Sequence, residues 1–305
     1  MGNVNKILTS LNERPYGKHA FQAALLMRQG ILLGGMLSNA ESWTNVTEID
    51  IHKLTMPDTM LHRELLSTSG NPSKVFMSLE LGIIPVKFAL MAKRVKMLNC
   101  ILNENINTTM RQVYETLKGD SKRGDFYDLV GKDLQALNIE MEENEISSFS
   151  KQRWKKYVAQ KTKESAFQYL VTQNSILENT KHIFFEDLKL SNYLRENRST
   201  KLAKIIFSIR SKTFDIKSWQ PWKYFDNLCV QCELREETMD HFMCCKSYEN
   251  CAQVHDWKIM FENDTEKQYE IAQIVSYRQR IRKHTIDKYE AGQPQVSSGS
   301  GAPAM

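Results

Sequence analysis

Helix breakers are missing from long stretches of this 305-residue chain. No proline lies between Pro85 and Pro221, and no glycine lies between Gly131 and Gly292. Because these two residues interrupt helices most strongly, the interval from 131 to 221 predicts long helices joined by short polar links. Alternating runs that indicate strands are scarce, and FEDLKLS (185–191) is ambiguous. The expected fold class is mainly α.

Long apolar runs are absent as well. The longest, AALLMRQGILLGGML (23–37), carries Arg28 and Gln29 at its middle and is too short to span a bilayer comfortably. We therefore expect a buried core helix there and no membrane partner. The start of the chain has no apolar segment of the secretory type, so we expect a nuclear or cytoplasmic protein.

Charge of either sign is not in large excess. The net charge is +5 and the pI is about 8.7, which permits a nucleic-acid partner without requiring one. The apolar fraction of 41% and the charged fraction of 25% are typical of a globular protein. A chain of this length has room for about two domains.

Several segments have apolar side chains at helical spacing, and some have a capping residue before them. Ser150 precedes one such segment, Ser199 or Thr200 precedes another, and Thr47 with Asp50 forms a weak capping box. The expected buried stripes are Phe88, Met91, Val95, Leu98 and Ile101; Trp154, Val158, Phe167 and Leu170; and Leu202, Ile205, Ile206 and Ile209.

Cysteine is rare except in one place, because five of the six cysteines fall between 229 and 251. Cys229 and Cys232 are spaced CxxC, and His241 and Cys245 follow as HxxxC. A CxxC turn brings two thiolates to one ion, and a histidine and cysteine four apart share a helical face. Soft sulfur ligands with one imidazole favour a structural Zn²⁺ with no open position. Cys244 or Cys251 could replace Cys245 as the fourth ligand.

These patterns divide the chain into four parts. We expect a helical region at 1–215, a zinc knuckle with an aromatic linker at 216–255, a terminal helix at 256–290 and a disordered tail at 291–305. The tail is small, polar and rich in glycine and serine, so it cannot bury a core.

In chain order, several segments resemble the C-terminal part of reverse transcriptase polyproteins from non-LTR (LINE-type) retrotransposons. The resemblance covers about residues 5 to 250. It is carried by RQGILLGGMLSNAESWTNVTEIDIHKL, by LELGIIPVKFALMAKRVKMLNCILN, by RGDFYDLVGKDLQALNI before KQRWKKYV, and by the terminal CVQCELREETMDHFMCC, which looks like the family's CCHC zinc knuckle.

The resemblance implies a helical thumb and connector followed by a zinc knuckle. The family's polymerase palm holds two magnesium ions on paired aspartates. This chain contains no Asp-Asp pair and no convincing endonuclease carboxylate cluster, so we expect no catalytic residues and no enzyme activity of its own. The implied function is a non-catalytic, nucleic-acid-binding C-terminal fragment of a reverse transcriptase. Its partners would be RNA or DNA and the palm domain of the parent protein.

In the family the thumb holds template and primer, so basic and aromatic side chains are the candidate contacts. They are Lys93, Arg94, Lys96, Lys151, Arg153, Lys155, Lys156, Lys217, Trp222 and Lys223. The alternatives are a solvated charged face and packing of Trp219 and Trp222 against the knuckle. Acidic residues in the knuckle, including Glu236 and Glu237, weaken phosphate binding through that face. A domesticated zinc-containing module for protein–protein interaction is the alternative function.

Overall fold

In the computed structural model, the described parts of the chain are residues 19–66, 70–120, 122–248 and 251–292. These parts are mainly helical and contain no β-strand, only an isolated bridge between Leu228 and Glu236. The predicted mainly α fold is confirmed. Most of the predicted tail lies outside the described residues.

The helices follow one another along the chain with links of varied length. Their bounds are α1 Ala20–Met27, α2 Glu48–Leu66, α3 Lys74–Leu81, α4 Val86–Leu102, α5 Thr109–Gly119, α6 Phe126–Ala136, α7 Glu143–Ser148, α8 Lys151–Ser175, α9 Asn192–Glu196, α10 Thr200–Arg210, α11 Met239–Cys244 and α12 Thr265–Gly292. A π-helical segment, Arg28–Leu33, continues directly from α1.

Two large cores hold most of these helices together, and two smaller apolar clusters pack α1, α2 and the start of α4. The first core forms where α8 packs on α4, with buried Trp154 and Val158 against Val95 and Leu98. The Trp154 indole N–H also donates to the Val95 carbonyl at 2.9 Å. The apolar stripes predicted for α4 and α8 are therefore the buried faces, and Ser150 caps α8 as expected.

The second core joins the middle of the chain to its C-terminal part. It contains residues of α3, α10 and α12 together with the cysteine segment, including Phe76, Ile206, Phe242 and Val275. Residues on both sides of the predicted boundary at 216 thus share one core. In the α10 stripe, Ile205, Ile206 and Ile209 are buried as predicted and Leu202 is partly buried. Ser199 precedes α10 without a side-chain capping bond.

Buried ion pairs link distant helices inside these cores. Arg210 of α10 donates to Glu80 of α3 at 2.7 Å, and both side chains are almost fully buried. Arg28 donates to Asp58 of α2 at 2.6 and 2.7 Å, which explains how an arginine is tolerated inside the apolar run. His62 lies 3.4 Å from the same Asp58, so it has a partner that the sequence did not indicate.

The interval without proline and glycine is interrupted more than predicted. Residues 176–191 form no helix, although α8 before them runs for 25 residues. Asn174 and Thr180 close the first turn there, because the Asn174 amide donates to the Thr180 carbonyl at 3.0 Å and accepts from its hydroxyl at 2.7 Å. Asn197, at φ 31°, ends α9 in the left-handed conformation that glycine usually supplies.

One glycine is required by close backbone approach. Gly82 ends α3 at φ +64°, and a Cβ atom placed on it would lie 2.2 Å from the Lys189 backbone carbon. The segment around Lys189 therefore lies directly on the end of α3.

No single helix in the described ranges has both the length and the apolar content needed to cross a bilayer. α3 and α4, which meet at a bend of 63°, pass the same test of length and composition only when taken together.

Candidate metal centre

Three thiols and one imidazole converge in the C-terminal part of the second core. The ligand atoms of Cys229, Cys232, His241 and Cys245 all lie within 4.8 Å of one another. The Cys229 and Cys245 sulfurs are 4.0 Å apart, and the Cys232 sulfur lies 3.2 Å from His241 Nε2. An ion bound at about 2.3 Å to sulfur has tetrahedral edges of about 3.8 Å, so this donor set fits a tetrahedral metal.

The first pair of ligands is held by a tight backbone loop. The Cys229 N–H donates to the Arg235 carbonyl at 2.7 Å, and the Glu233 N–H donates back to the Cys229 carbonyl at 2.8 Å. Glu233 has φ 54°, which reverses the chain just after Cys232. This loop turns both sulfurs towards the same point.

The second pair of ligands is placed by α11. The Thr238 hydroxyl caps this helix by accepting from the His241 N–H at 3.1 Å. The Cys245 N–H donates to the His241 carbonyl at 2.7 Å, so the two residues are one turn apart on the same face. The HxxxC spacing therefore places His241 and Cys245 on one helical face, as the sequence predicts.

The surroundings shift the pKa values of the candidate ligands in different directions. Burial raises the pKa of the Cys229 thiol to about 12. For Cys232, desolvation is outweighed by the backbone N–H groups of Leu234 and Arg235, and its pKa is lowered. Desolvation and nearby Arg235 also lower the pKa of His241, which keeps the imidazole neutral. A metal ion would therefore meet a ready imidazole and would displace the proton of Cys229.

The neighbouring cysteines lie outside the ligand group. The Cys244 sulfur points away, 3.4 Å from the Val254 carbonyl oxygen and 3.5 Å from His255 Nδ1. Cys251 packs, partly buried, against the second core. Among the described residues, Cys245, and not Cys244 or Cys251, belongs to the group that could hold a metal ion.

The sequence did not indicate the residues that fasten this cluster to the terminal helix. Glu237, fully buried between the ligands, accepts from Arg282 of α12 at 2.9 and 2.8 Å. Arg278, also fully buried, donates to the carbonyls of Phe242, Cys245 and Ala252. The acidic pair at 236 and 237 is visible in the sequence, but it predicts an acidic surface and not a buried ion pair with α12.

The basic residues predicted on α4 divide between core and surface. Arg94 is 5% exposed and donates to Asp133 of α6 at 2.6 and 2.9 Å, so its guanidinium lies in the interior. Lys93 and Lys96 are partly exposed, and the Lys93 ammonium also donates to the Leu37 carbonyl. The prediction that Arg94 contacts nucleic acid is therefore wrong, because its guanidinium is buried and already paired.

The basic residues predicted on α8 are all exposed. Lys151, Lys155 and Lys156 project from the first turns of the helix, and the Arg153 guanidinium lies 5.1 Å from the centre of the Phe149 ring. Trp154 between them is buried, which turns the basic side chains to the outside.

The linker residues have mixed positions. Lys217 is nearly buried and pairs with Asp226 at 2.6 Å, while Lys223 pairs with Asp215 at 2.9 Å. Trp222 is 78% exposed. Trp219 packs instead against the second core, with its ring centre 6.3 Å from that of Trp257.

A large groove lies beside the metal centre, between the linker and α12. Its cavity measures about 910 Å³, and Cys229 contributes to its wall. Lys201, Arg280 and Lys283 line it and are exposed, and Phe225 at its edge is fully exposed. The sequence does not single out these four residues, because they lie on three separated segments.

Comparisons with known protein families, curated proteins and solved structures find no match for this chain. The resemblance to a reverse transcriptase therefore stays a prediction from the motifs.

Proposed function

We propose that this chain is a non-catalytic, nucleic-acid-binding region that holds single-stranded RNA or DNA in the groove beside the metal centre. The parent would be a reverse transcriptase of the non-LTR type, on the strength of the sequence motifs. The proposal rests on the combination of unpaired cations and the exposed Phe225 ring along one groove.

Some of the cations that line the groove are paired with carboxylates, and others are not. Lys217, Lys223 and Arg282 on its walls are already engaged by carboxylates. Lys201, Arg280 and Lys283 have no carboxylate partner within the described ranges, and their charges are free to neutralise phosphates.

Two exposed aromatic rings lie on the linker that forms one side of the groove: Phe225 lines the groove, and Trp222 directly precedes the lining residue Lys223. Trp222 and Phe225 are exposed, although large apolar rings are normally buried. Unpaired bases stack on such rings without regard to sequence, at about 1–3 kcal/mol per base. A duplex offers no free base face, so the groove favours a single strand.

We further propose that the metal is a structural Zn²⁺. Three thiolates with one imidazole suit this ion, and all four protein ligands leave no position for a substrate. The ion would fix the wall that Cys229 contributes to the groove, which makes the metal a scaffold for binding.

The test is titration of the zinc-loaded chain with fluorescent 20-nucleotide single-stranded RNA and DNA over a range of salt. We expect the double variant Arg280→Gln/Lys283→Gln to reduce the salt slope by about 1.4, at about 0.7 per phosphate contact. Phe225→Ala, which removes the exposed ring that lines the groove, should weaken binding about fivefold or more at every salt concentration. Lys258→Gln, an exposed change outside the groove, is the matched control.

An exposed apolar face on α2 supports the alternative function of a protein-interaction module. Ile49, Met56 and Met60 are exposed along one face of α2 at spacings of seven and four. If neither nucleic acid binds at low salt, the nucleic-acid proposal is wrong and this face becomes the leading candidate for a partner.

A further inference from the structure

A second cavity lies in the other half of the molecule, far in sequence from the metal centre. It measures about 450 Å³ and lies between the segment that follows α1, the start of α4 and the middle of α8. Its walls are aliphatic, formed chiefly by Leu25, Leu33, Leu37, Ile83, Ile84 and Ala92. No aromatic residue of the described chain lines it.

Positive charge gathers at one side of this cavity and is only partly matched by negative charge among the described residues. Lys93 and Lys96 of α4 line it, and Lys155 of α8 is close enough to Lys96 to repel it. No aspartate or glutamate occurs from 86 to 102 or from 151 to 163, so neither helix supplies a counter-charge there. Glu41 lies 3.7 Å from Lys93, but Lys96 has no carboxylate partner within the described ranges.

The charged form of Lys96 is therefore destabilised by its surroundings. Its partial burial, together with Lys155 and Lys93, lowers its pKa from the ordinary value. An anion placed between the ammonium groups would relieve this repulsion. Arg28 also lines the cavity, but Asp58 already occupies its guanidinium, so Lys96 is the group that remains to be neutralised.

We infer that this cavity binds a small amphiphilic anion, a single unbranched aliphatic chain with one carboxylate or phosphate head. The head lies against Lys96 and Lys93, which both line the cavity, and the chain lies along Leu33, Leu37 and Ile84. The volume is within the range of small-molecule sites. A nucleotide fits less well, since the cavity offers no ring for its base to stack on.

The first experiment is calorimetric titration of the zinc-loaded chain with a series of alkanoates from hexanoate to decanoate, below their micelle concentrations. Each added methylene that enters the cavity should tighten binding about fourfold. Decyltrimethylammonium, with the same chain and the opposite charge, should not bind measurably. Decyl phosphate run in parallel distinguishes a phosphate head from a carboxylate head.

Two variants locate the site. Lys96→Met removes the charge and keeps the length, and we expect at least a tenfold loss of decanoate affinity. Gly34→Leu fills the cavity from a helical position where an added Cβ meets only the Gln29 carbonyl oxygen at 3.8 Å, so it should fold and abolish binding. Lys161→Met on α8 lies outside the lining and should bind as the wild type does.

The inference is wrong if decanoate does not bind, if the cationic analogue binds equally, or if Gly34→Leu leaves the affinity unchanged. Circular dichroism of each variant shows that the helices are intact. Loss of decanoate binding with unchanged RNA binding separates this cavity from the groove of the proposed function.

Discussion

Substitution of adjacent cysteines tests whether Cys245, and not Cys244, is the fourth metal ligand. The change is Cys245→Ser in one variant and Cys244→Ser in the other. Both replace sulfur by oxygen one position apart in the chain. Only the Cys245 sulfur belongs to the group whose ligand atoms lie within 4.8 Å of one another. We expect Cys245→Ser to release the metal readily and Cys244→Ser to retain it.

The magnitude follows from sharing the metal's binding energy among four ligands. A structural zinc contributes about 10–16 kcal/mol at neutral pH, which is roughly 2.5–4 kcal/mol for each ligand. The loss of Cys245 should then weaken zinc binding by a factor of about 100 to 1,000. The Cys244 sulfur contacts the Val254 carbonyl and His255 and lies outside the ligand group, so its loss should change zinc affinity less than about threefold.

The assay is competition for zinc with a chromophoric chelator, followed by thermal unfolding of each metal-loaded variant. Arg278 donates to the carbonyls of Phe242 and Cys245, so metal loss should also loosen α12 and lower the unfolding temperature. Retention of zinc by Cys245→Ser together with loss by Cys244→Ser would refute the ligand assignment. Equal loss in both would show that the two sulfurs exchange.

Three further predictions concern the fold. Gly82→Ala should destabilise the fold by about 3 kcal/mol or more, because of the positive φ at this position and the clash with the Lys189 backbone. Its control, Gly131→Ala on an open helix surface, should stabilise the fold slightly. Urea unfolding measures both free energies. Glu80→Gln should cost about 3–5 kcal/mol in the same assay by leaving a buried arginine unpaired, whereas Glu48→Gln in an exposed pair should cost less than about 1 kcal/mol. Burial opposes ionisation of Asp58, but nearby positive groups outweigh it and hold its pKa below the usual range. Its stabilising effect is complete above the unfolded pKa of about 3.9 and is lost as the pH falls, so Asp58→Asn should be costly at pH 7 and nearly neutral in acid.

The ligand set was predictable because its geometry is local. CxxC and HxxxC each place two donors within one turn, and the caps and loop that orient them are short-range. The choice between Cys244 and Cys245 was not predictable, since adjacent residues of a short helix point in different directions that only the packing decides. Once Phe242 is buried in the second core, Cys245 faces the cluster and Cys244 faces Val254.

The helices were predictable where apolar side chains repeat, as in α4, α8 and α10. Their ends were not always predictable, because residues other than glycine adopt the left-handed conformation there. Asn138, Asn197 and Lys212 adopt positive φ at or just after helix ends, although their residue types alone do not demand it. An interval without glycine or proline therefore indicates helix without excluding a link as long as 176–191.

Charge patterns were the least predictable feature, and the reason is distance along the chain. Arg94 stands between two surface lysines, yet Asp133, 39 positions later, holds it in the interior. Glu237 looked like part of an acidic surface, yet Arg282, 45 positions later, neutralises it. A run of like charges in sequence does not show which members have buried partners. The groove cations matter for the converse reason: they come from separate segments, and the fold brings them together without neutralising them.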